Sequence, residues 1–270
     1  MTSSFSNKIG IVTGGTQGLG AAIAGLLARR GAAGLVICGR NREKGEAQVR
    51  QISKESDCKV VYVPADLAKV EDCRAVVAAA DEHFGRVDTL VNAAGMTDRG
   101  TILDTSPELF DQMFAINVRA PFFLSQDVVK LMLRDKTAGT IVNIGSMSAL
   151  AGQSFISAYC ASKGALATMT RNLAYALLLN RIRVNGLNIG WMASDGEDRI
   201  MRQYHGAETG WQAKAGAGLP NGRLIDPGEV ARAVAFLASE ESGIMTGSMV
   251  EYDQSVWGGY DSAPQPPKAL

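Results

Sequence analysis

The chain has 270 residues, of which 46% are hydrophobic, and its 27 Lys and Arg residues equal its 27 Asp and Glu residues in number. With no formal net charge it has no overall attraction for nucleic acid or for an anionic membrane surface, so neither partner is expected. The length is sufficient for one large α/β domain with a well-buried core.

Cysteine spacing and the N-terminus favour a reducing compartment. Cys38, Cys58, Cys73 and Cys160 show no CxxC or CxxxC spacing, so we predict free thiols and no metal site. The opening residues MTSSFSNK lack the apolar core of a signal peptide, and no stretch approaches the ~20 apolar residues of a membrane span. We expect a cytoplasmic protein.

Short β-branched apolar runs alternate with longer segments of helical periodicity. Six runs are typical of strands buried on both faces, as in a parallel sheet: KIGIVT, GLVIC, KVVYV, VDTLVN, GTIVNI and IRVNGLN. Helical periodicity covers 18–31, 41–54, 71–84, 107–134 and 157–179, and Pro107 fits the first turn of the fourth helix. The alternation predicts an α/β fold: one doubly wound Rossmann-type domain, residues 1–260, with a central parallel sheet and helices on both faces.

Two stretches interrupt this alternation. Residues 190–224 are polar, rich in Gly and Ala, and too long for an ordinary connection; their aromatic residues favour a substrate lid. The tail 261–270, DSAPQPPKAL, holds three of the eight prolines and is expected to pack poorly unless it docks on a neighbouring subunit.

The segment IVTGGTQGLG ends the first strand and begins the first helix. Gly14, Gly18 and Gly20 stand where a tight turn and a close backbone approach are needed, and the helix N-terminus offers free N–H groups to a pyrophosphate. The alternative is a plain glycine-rich turn. The position directly after a buried strand favours a dinucleotide site.

The residue that selects the cofactor is expected about twenty positions further along the chain, where an acidic side chain would bind the ribose 2′-hydroxyl. Here Gly39 occupies that position and Arg40 follows. A guanidinium binds a phosphate through two hydrogen bonds, so Arg40 favours NADP(H), with NAD(H) as the alternative. Arg40 is otherwise a solvated arginine at a helix start.

In the stretch SAYCASKGA, Tyr159 and Lys163 are four residues apart and share one face of a helix. A free phenol titrates near ~10, and an amine and an oxidised nicotinamide ~5 Å away would each favour phenolate by about 3 kcal/mol. Desolvation opposes this, so we expect a Tyr159 pKa of roughly 7–8, suited to a general acid or base. The small neighbours of Tyr159 leave room for cofactor and substrate. Ser146, at the end of the fifth strand, can donate to a substrate oxygen.

Five motifs follow one another along the chain: TGGTQGLG, NAAG at 92–95, IN at 116–117, GS at 145–146 and YCASK at 159–163. Because of these motifs and their order, the chain resembles the classical short-chain dehydrogenase/reductase family over residues 8 to about 253. It departs from the family's PGxxxT, where Ile189 replaces the proline and Ser194 the threonine, and from its DGG, which reads DQS at 253–255.

The resemblance implies an oxidoreductase that transfers a hydride between a nicotinamide cofactor and a carbonyl or secondary alcohol. Its implied catalytic residues are Asn117, Ser146, Tyr159 and Lys163, with Asn117 holding a water that relays protons from Lys163. Lys163 is also implied to bind the nicotinamide ribose, and Asp66 the adenine. The implied cofactor contacts are Gly14, Thr16, Gln17, Gly18, Leu19, Gly20, Arg40, Asp66, Leu67, Asn92, Ala93, Gly95, Tyr159, Lys163, Ile189 and Ser194.

Alternatives stay open for several of these residues. Asn92 can equally be structural, tying its strand end to a neighbour, and Asp66 can be a turn cap. The candidates for substrate binding are Ser148, Gln153 and Trp191, with Met96, His205 and Trp211 as further ones. Polar groups and tryptophans together suit a hydroxylated ligand.

Alternatives also stay open for the function of the whole chain. A non-catalytic NAD(P)-binding sensor on the same fold and an NAD-preferring sugar or polyol dehydrogenase are the main ones. An epimerase or an enoyl reductase fits the motif spacing less well. The family commonly forms tetramers through helices equivalent to 107–134 and 157–179, so a homo-oligomer, with a tetramer favoured, is expected.

Overall fold

A computed structural model describes residues 4–150 and 152–259. Its centre is a seven-stranded parallel sheet with strand order β3-β2-β1-β4-β5-β6-β7. The strands are β1 Ile9–Thr13, β2 Gly34–Gly39, β3 Lys59–Pro64, β4 Thr89–Asn92, β5 Thr140–Ser146, β6 Arg183–Ile189 and β7 Met249–Tyr252. The order reverses between β1 and β4, which opens a crevice at the carboxyl ends of these strands. The predicted doubly wound α/β fold is confirmed.

Within these residues nine α-helices accompany the sheet. They are α1 Gly18–Arg29, α2 Arg42–Glu55, α3 Val70–Phe84, α4 Pro107–Phe114, α5 Ala120–Arg134, α6 Ser157–Ala176, α7 Asp195–His205, α8 Trp211–Gly216 and α9 Pro227–Ala238. The helix predicted over 107–134 is divided by a π-helical turn, Ala115–Arg119. Pro107 lies in the first turn of α4 as predicted, after an N-cap at Ser106.

The sequence analysis missed β7 and α9. The start of α9 was readable, because Asp226 forms a capping box with Glu229 and Pro227 follows the cap. The strand β7 has only four residues, none of them buried. It lacks the buried apolar run by which the other strands were predicted.

Adjacent strand residues point to opposite faces of the sheet and supply two hydrophobic layers. Ile11 packs with Leu124 and Val128 on one face, and Val12 packs with Ile23 and Val234 on the other. Helices therefore cover both faces, and the functional groups are left to the strand ends.

Residues 190–224 are more regular than the long loop expected for a lid. They contain α7 and α8. The sequence carries the signals for α7: the Ser194 side chain caps its N-terminus, Asp195 and Glu197 stand in its first turn, and His205 stands in its last. The role of this segment as a lid and the one-domain division stay predictions. The predicted tail 261–270 lies outside the described residues.

Three further observations concern partners and metals. No helix in the described ranges is both long enough and apolar enough to span a bilayer. The four cysteines are free thiols, three of them buried. No group of three or more His, Cys, Asp or Glu side chains among residues 4–150 and 152–259 is placed to hold a metal ion.

Two glycines of α1 provide a stability test. A Cβ added to Gly20 would overlap the carbonyl group of Gly14, whereas one added to Gly25 meets only the flexible end of Arg29, 3.3 Å away. We expect Gly20→Ala to lower the free energy of unfolding by about 2–3 kcal/mol because backbone must move. Gly25→Ala should raise it by up to about 1 kcal/mol through helix propensity. Urea unfolding of both variants measures this, and equal stability of the Gly20→Ala variant and the wild type would contradict it.

Candidate active site

A cleft of about 1580 Å³ runs along the carboxyl ends of the strands, from Arg40 at one end to Trp191 at the other. Most of the residues predicted for the site line it. These are Gly14, Thr16, Gln17, Gly18, Leu19, Gly20, Arg40, Asp66, Leu67, Ala93, Gly95, Ser146, Ser148, Gln153, Tyr159, Lys163, Ile189, Trp191 and Ser194. Asn92 and Asn117 are buried behind the lining.

The turn between β1 and α1 is tight in the way the glycines suggest. Gly14 and Gly18 have φ angles of +65° and +53°, which only glycine adopts without strain. An added Cβ at Gly14 would lie 3.0 Å from the Cα of Ala94. The α1 N-cap, Gln17, offers no side-chain cap, so the first N–H groups of the helix are available to an anion in the cleft.

At the far end of the cleft the acidic residue expected in NAD-selective sites has no room. An added Cβ at Gly39 would lie 2.7 Å from the Thr16 hydroxyl oxygen. The exposed Arg40 has no hydrogen bond or ion pair with any described residue. Lys44 also lines the cleft, and its Nζ donates to Gln17 Oε1 at 2.6 Å. Two cations therefore flank this end, of which the sequence analysis identified one.

Two of the predicted cofactor contacts have structural partners. Asp66 lines the cleft and its Oδ1 accepts from the main-chain N–H of Ala68 at 3.2 Å, as a turn cap does. Asn92 does not reach the cleft, and its Nδ2 donates to Asn143 Oδ1 on β5 at 2.8 Å. The structural alternative for Asn92, tying two strand ends together, is what the geometry supports.

Tyr159, Lys163 and Ser146 meet at the end of β5. The Ser146 hydroxyl oxygen accepts from the N–H of Ser148 at 3.1 Å and stands next to the Tyr159 phenol. Lys163 Nζ lies 5.7 Å from the centre of the Tyr159 ring and donates to the main-chain oxygen of Ile144 at 2.8 Å. Lys163 is only 4% exposed, so its amine is held inside the protein.

The expected low pKa of Tyr159 is not found. Desolvation raises the pKa of Tyr159 to about 12, against the lowering effect of Ser146. Desolvation also lowers the pKa of Lys163 to about 8, because no charged group compensates an ammonium at that depth. The expectation of 7–8 counted two cations beside the phenol, Lys163 and an oxidised nicotinamide. The Lys163 amine is instead directed at the carbonyl oxygen of Ile144, and burial raises the pKa of the phenol, which is therefore protonated at neutral pH.

Asn117 lies in the π-helical turn, where a side chain is re-aimed relative to a regular helix. Its Oδ1 accepts from the N–H of Met96 at 2.9 Å, and its Nδ2 donates to the carbonyl oxygen of Met96 and to the Ser162 hydroxyl. A Cβ added at Gly95 would lie 3.6 Å from Asn117 Oδ1 and 3.7 Å from Lys163 Nζ, so both groups approach this glycine. Both Nδ2 protons of Asn117 are donated to protein groups, while its Oδ1 keeps a second lone pair that can accept from a water. The water-holding role of Asn117 stays a prediction.

Ile189 and Ser194 bring β6 and the predicted lid to the cleft. Ile189 pairs with Ser146 in the β5–β6 register. Ser194 Cβ would lie 4.0 Å from a Cβ at Gly18, so the start of α7 adjoins the glycine turn. The Ser194 hydroxyl oxygen accepts from the N–H of Glu197 at 3.1 Å.

The geometry agrees with comparisons to known proteins. A family model described as enoyl-(acyl carrier protein) reductase matches residues 14–257. An uncharacterized oxidoreductase of Thermotoga maritima is 36% identical over 92% of this chain and 97% of its own length. The galactitol 2-dehydrogenase of Agrobacterium fabrum is 30% identical over 94% of this chain and 98% of its own. The chain belongs to the short-chain dehydrogenase/reductase family.

A solved structure extends the likeness to a complex. The L-sorbose reductase of Gluconobacter frateurii, crystallised with NADPH and L-sorbose, superposes with a TM-score of 0.88 at 26% identity, covering 96% of this chain and 100% of that one. The named relatives are dehydrogenases and reductases of alcohols and ketones. This member of the short-chain dehydrogenase/reductase family is accordingly an oxidoreductase that acts on CH–OH groups with a nicotinamide cofactor.

Several residues that build this short-chain dehydrogenase/reductase site were not identified from the sequence. Thr13, buried at the end of β1, accepts from the N–H groups of Ala93 and Ala94, each at 3.0 Å. Lys44 lines the cleft near Arg40, and Arg99 and Glu197 line it near Trp191. Thr13 could have been identified from the sequence, because it is a polar residue at the end of a predicted strand. No sequence feature pointed to Lys44, Arg99 or Glu197.

The buried amine of Lys163 makes a prediction about stability and pH. Between pH 8 and the ordinary lysine value of 10.5, the unfolded chain keeps the ammonium proton that the folded chain has released, so stability rises with pH in that window. Below pH 8 the folded protein bears a cost of about 3 kcal/mol for the buried ammonium. Replacing the amine would leave the Ile144 carbonyl oxygen without this hydrogen bond, which costs about 1 kcal/mol.

We expect Lys163→Met to be more stable than the wild type at pH 7, by about 1–2 kcal/mol, and to lose this advantage by pH 10. Urea unfolding without cofactor at several pH values measures this. Lys130→Met, at an exposed position on α5, is the control. Parallel pH profiles for the wild type and Lys163→Met would contradict the prediction.

Proposed function

We propose that this enzyme is an NADP(H)-dependent reductase or dehydrogenase of a carbonyl/secondary alcohol pair, with Tyr159 as the general acid and base. The observation that carries the proposal is the junction of the Tyr159 phenol, the Ser146 hydroxyl and the buried Lys163 amine at the end of β5, open to the cleft.

The cleft offers what a nicotinamide dinucleotide needs. The glycine turn and the uncapped start of α1 suit a pyrophosphate, and Arg40 with Lys44 suit a 2′-phosphate. Ile189, which pairs with Ser146, and Ser194, which adjoins the glycine turn, line the cleft between that turn and Tyr159. When bound, the nicotinamide supplies a hydride to the carbonyl carbon in reduction and accepts one in oxidation.

Tyr159 moves the proton that accompanies the hydride. Because its pKa is raised, the phenol is protonated at neutral pH and ready to donate to a carbonyl oxygen as that oxygen gains negative charge. In the reverse direction the base is the phenolate form of Tyr159, which takes the proton from the alcohol and becomes the phenol again. Ser146, adjacent to the phenol, donates to the same oxygen and stabilises the developing charge.

Lys163 has a pKa near the working range, so it can exchange a proton without a large cost. As an ammonium it favours phenolate at Tyr159, and its position suits a hydrogen bond to the cofactor ribose. Asn117 fixes Met96 and Ser162 around Lys163, so we propose that it shapes the proton route by positioning these groups.

The assembly and surroundings of this enzyme are also proposed. We infer a homo-oligomer, with a tetramer favoured, and a cytoplasmic location. The support is a set of apolar side chains left exposed on α4, α5 and α6: Phe110, Phe122, Leu133 and Tyr175. A non-catalytic sensor needs no intact set of Ser146, Tyr159 and Lys163, so we do not retain that alternative.

A substitution at Tyr159 tests the proton donor. We expect Tyr159→Phe to lower kcat by about 10²–10⁴-fold for carbonyl reduction, because the hydroxyl is lost, while the Kd of the cofactor changes little. Steady-state kinetics and cofactor titration measure the two effects. Tyr175→Phe, an exposed site on the same helix, is the control. Near-normal kcat in Tyr159→Phe would remove Tyr159 from this role.

Cofactor preference is tested at the two cations. We expect Arg40→Ala to raise the Kd of NADPH about 10–100-fold and that of NADH less than about threefold, because only NADPH presents a 2′-phosphate. Lys44→Met should act in the same direction and more weakly. Arg42→Ala is the control, because Arg42 is exposed, pairs with Glu46 and does not line the cleft. Equal effects of Arg40→Ala on both cofactors would remove Arg40 from the 2′-phosphate role.

A further inference from the structure

The loop after β4 and helix α7 meet above Tyr159, and one side chain joins them. Arg99 lies in this loop, is 14% exposed, and uses all three guanidinium nitrogens. Its Nε donates to His205 Nε2 at 3.0 Å, its Nη1 donates to the carbonyl oxygen of Thr97 at 3.0 Å, and its Nη2 lies 3.6 Å from Glu197 Oε1. Because Glu197 is in the first turn of α7 and His205 in the last, Arg99 holds both ends of the helix.

Further contacts extend this arrangement. Glu197 Oε1 also accepts from the Trp191 indole N–H at 3.0 Å, and the Tyr204 hydroxyl donates to Asp98 Oδ1 at 3.2 Å. The Arg99 guanidinium lies 5.3 Å from the centre of the Phe155 ring. The charges of Arg99 and Glu197 also act on Tyr159, so this group of residues borders the reaction centre.

The charges in this group do not favour an ionic substrate. Arg99 already has partners on every nitrogen, and its ion pair with Glu197 balances the charge next to the phenol. Asp98 and Arg199 also line this part of the cleft and add one charge of each sign, so the four charged side chains sum to zero. A substrate carboxylate placed against Arg99 would also meet the carboxylate of Glu197, a like charge, which offsets its attraction to the guanidinium.

The same lining suits a neutral molecule with many hydroxyl groups. Gln153, Ser148 and Glu197 present amide, hydroxyl and carboxylate groups that pair with hydroxyls, and Trp191 and Phe155 present aromatic faces for C–H groups.

We propose that the substrate is a small, uncharged, polyhydroxylated ketone or its alcohol, and that Arg99 is the positioning residue that closes α7 over it and excludes anions. This rests on the oxidoreductase function proposed above.

The test uses the full-length enzyme with NADPH or NADH and compares neutral ketoses (D-fructose, D-tagatose and D-xylulose) with a keto-aldonate, 5-keto-D-gluconate, and a thioester, acetoacetyl-CoA. We expect kcat/KM for at least one ketose to exceed that for the keto-aldonate and the thioester by about tenfold or more. Preference for the keto-aldonate or the thioester would overturn the substrate class and leave the oxidoreductase function standing. Turnover of none of them would overturn the substrate class, and failure of NADPH to bind in a fluorescence titration would overturn the proposed function as well.

Variants test Arg99 itself. We expect Arg99→Gln to raise KM for the preferred ketose about tenfold with kcat changed less than about threefold, because closure is lost and the proton donor is not. Glu197→Gln should shift the ketose-to-keto-aldonate ratio about tenfold toward the acid, because the guanidinium then lacks its anion. Arg202→Gln is the matched control: it breaks the ion pair to Asp198 on the same helix, and Arg202 does not line the cleft.

Hydrogen exchange of the cofactor-free protein supplies a second readout. Amides of α7 should exchange several-fold faster in Arg99→Gln than in the wild type or in Arg202→Gln. The same increase is expected in Arg99→Lys, which keeps the positive charge but loses the planar guanidinium group. If Arg99→Gln matches Arg202→Gln in both KM and exchange, the role assigned to Arg99 is wrong.

Discussion

The buried amine of Lys163 is the constraint on which the site depends. Within the described residues its one hydrogen bond is to the carbonyl oxygen of Ile144, near the end of β5, and solvent barely reaches it. Burial lowers its pKa to about 8 and burial of the neighbouring phenol raises that of Tyr159 to about 12. The protein therefore keeps an amine that gains or loses a proton easily near neutral pH. The phenol next to it keeps its proton at the same pH. The fold tolerates this cost only because two layers of apolar packing and seven paired strands support the position.

Reversal of the strand order between β1 and β4 places the other groups around this centre. Thr13 accepts from two main-chain N–H groups after β4 and so fixes the loop against the glycine turn. Gly20 allows α1 to start directly against Gly14, which leaves the helix N-terminus at the cleft. Each of these contacts is a packing or backbone requirement, yet together they leave the uncapped N-terminus of α1 facing the cleft.

The two ends of the cleft treat charge differently. At the Arg40 end the exposed Arg40 stands without a protein partner in the described structure, and the Lys44 amine is bound only to a neutral amide, so positive charge is available to a ligand. At the Trp191 end each guanidinium nitrogen of Arg99 has a protein partner, in His205, Thr97 or Glu197. An arginine's contribution to recognition thus depends on whether the protein has already occupied its hydrogen-bonding groups.

Local features of the sequence determined the helix–strand alternation, the glycine turn, the capped start of α4 and the four-residue spacing of Tyr159 and Lys163. Each depends on residues a few positions apart, whose geometry follows from backbone periodicity. Tertiary structure alone decided the pairing of Lys44 with Gln17, the enclosure of Asn117 by Met96 and Ser162, and the contact of Arg99 with His205, 106 residues away. It also decided the direction in which the pKa of Tyr159 is shifted. Desolvation depends on which residues pack around the ring, and residue spacing along the chain does not give this.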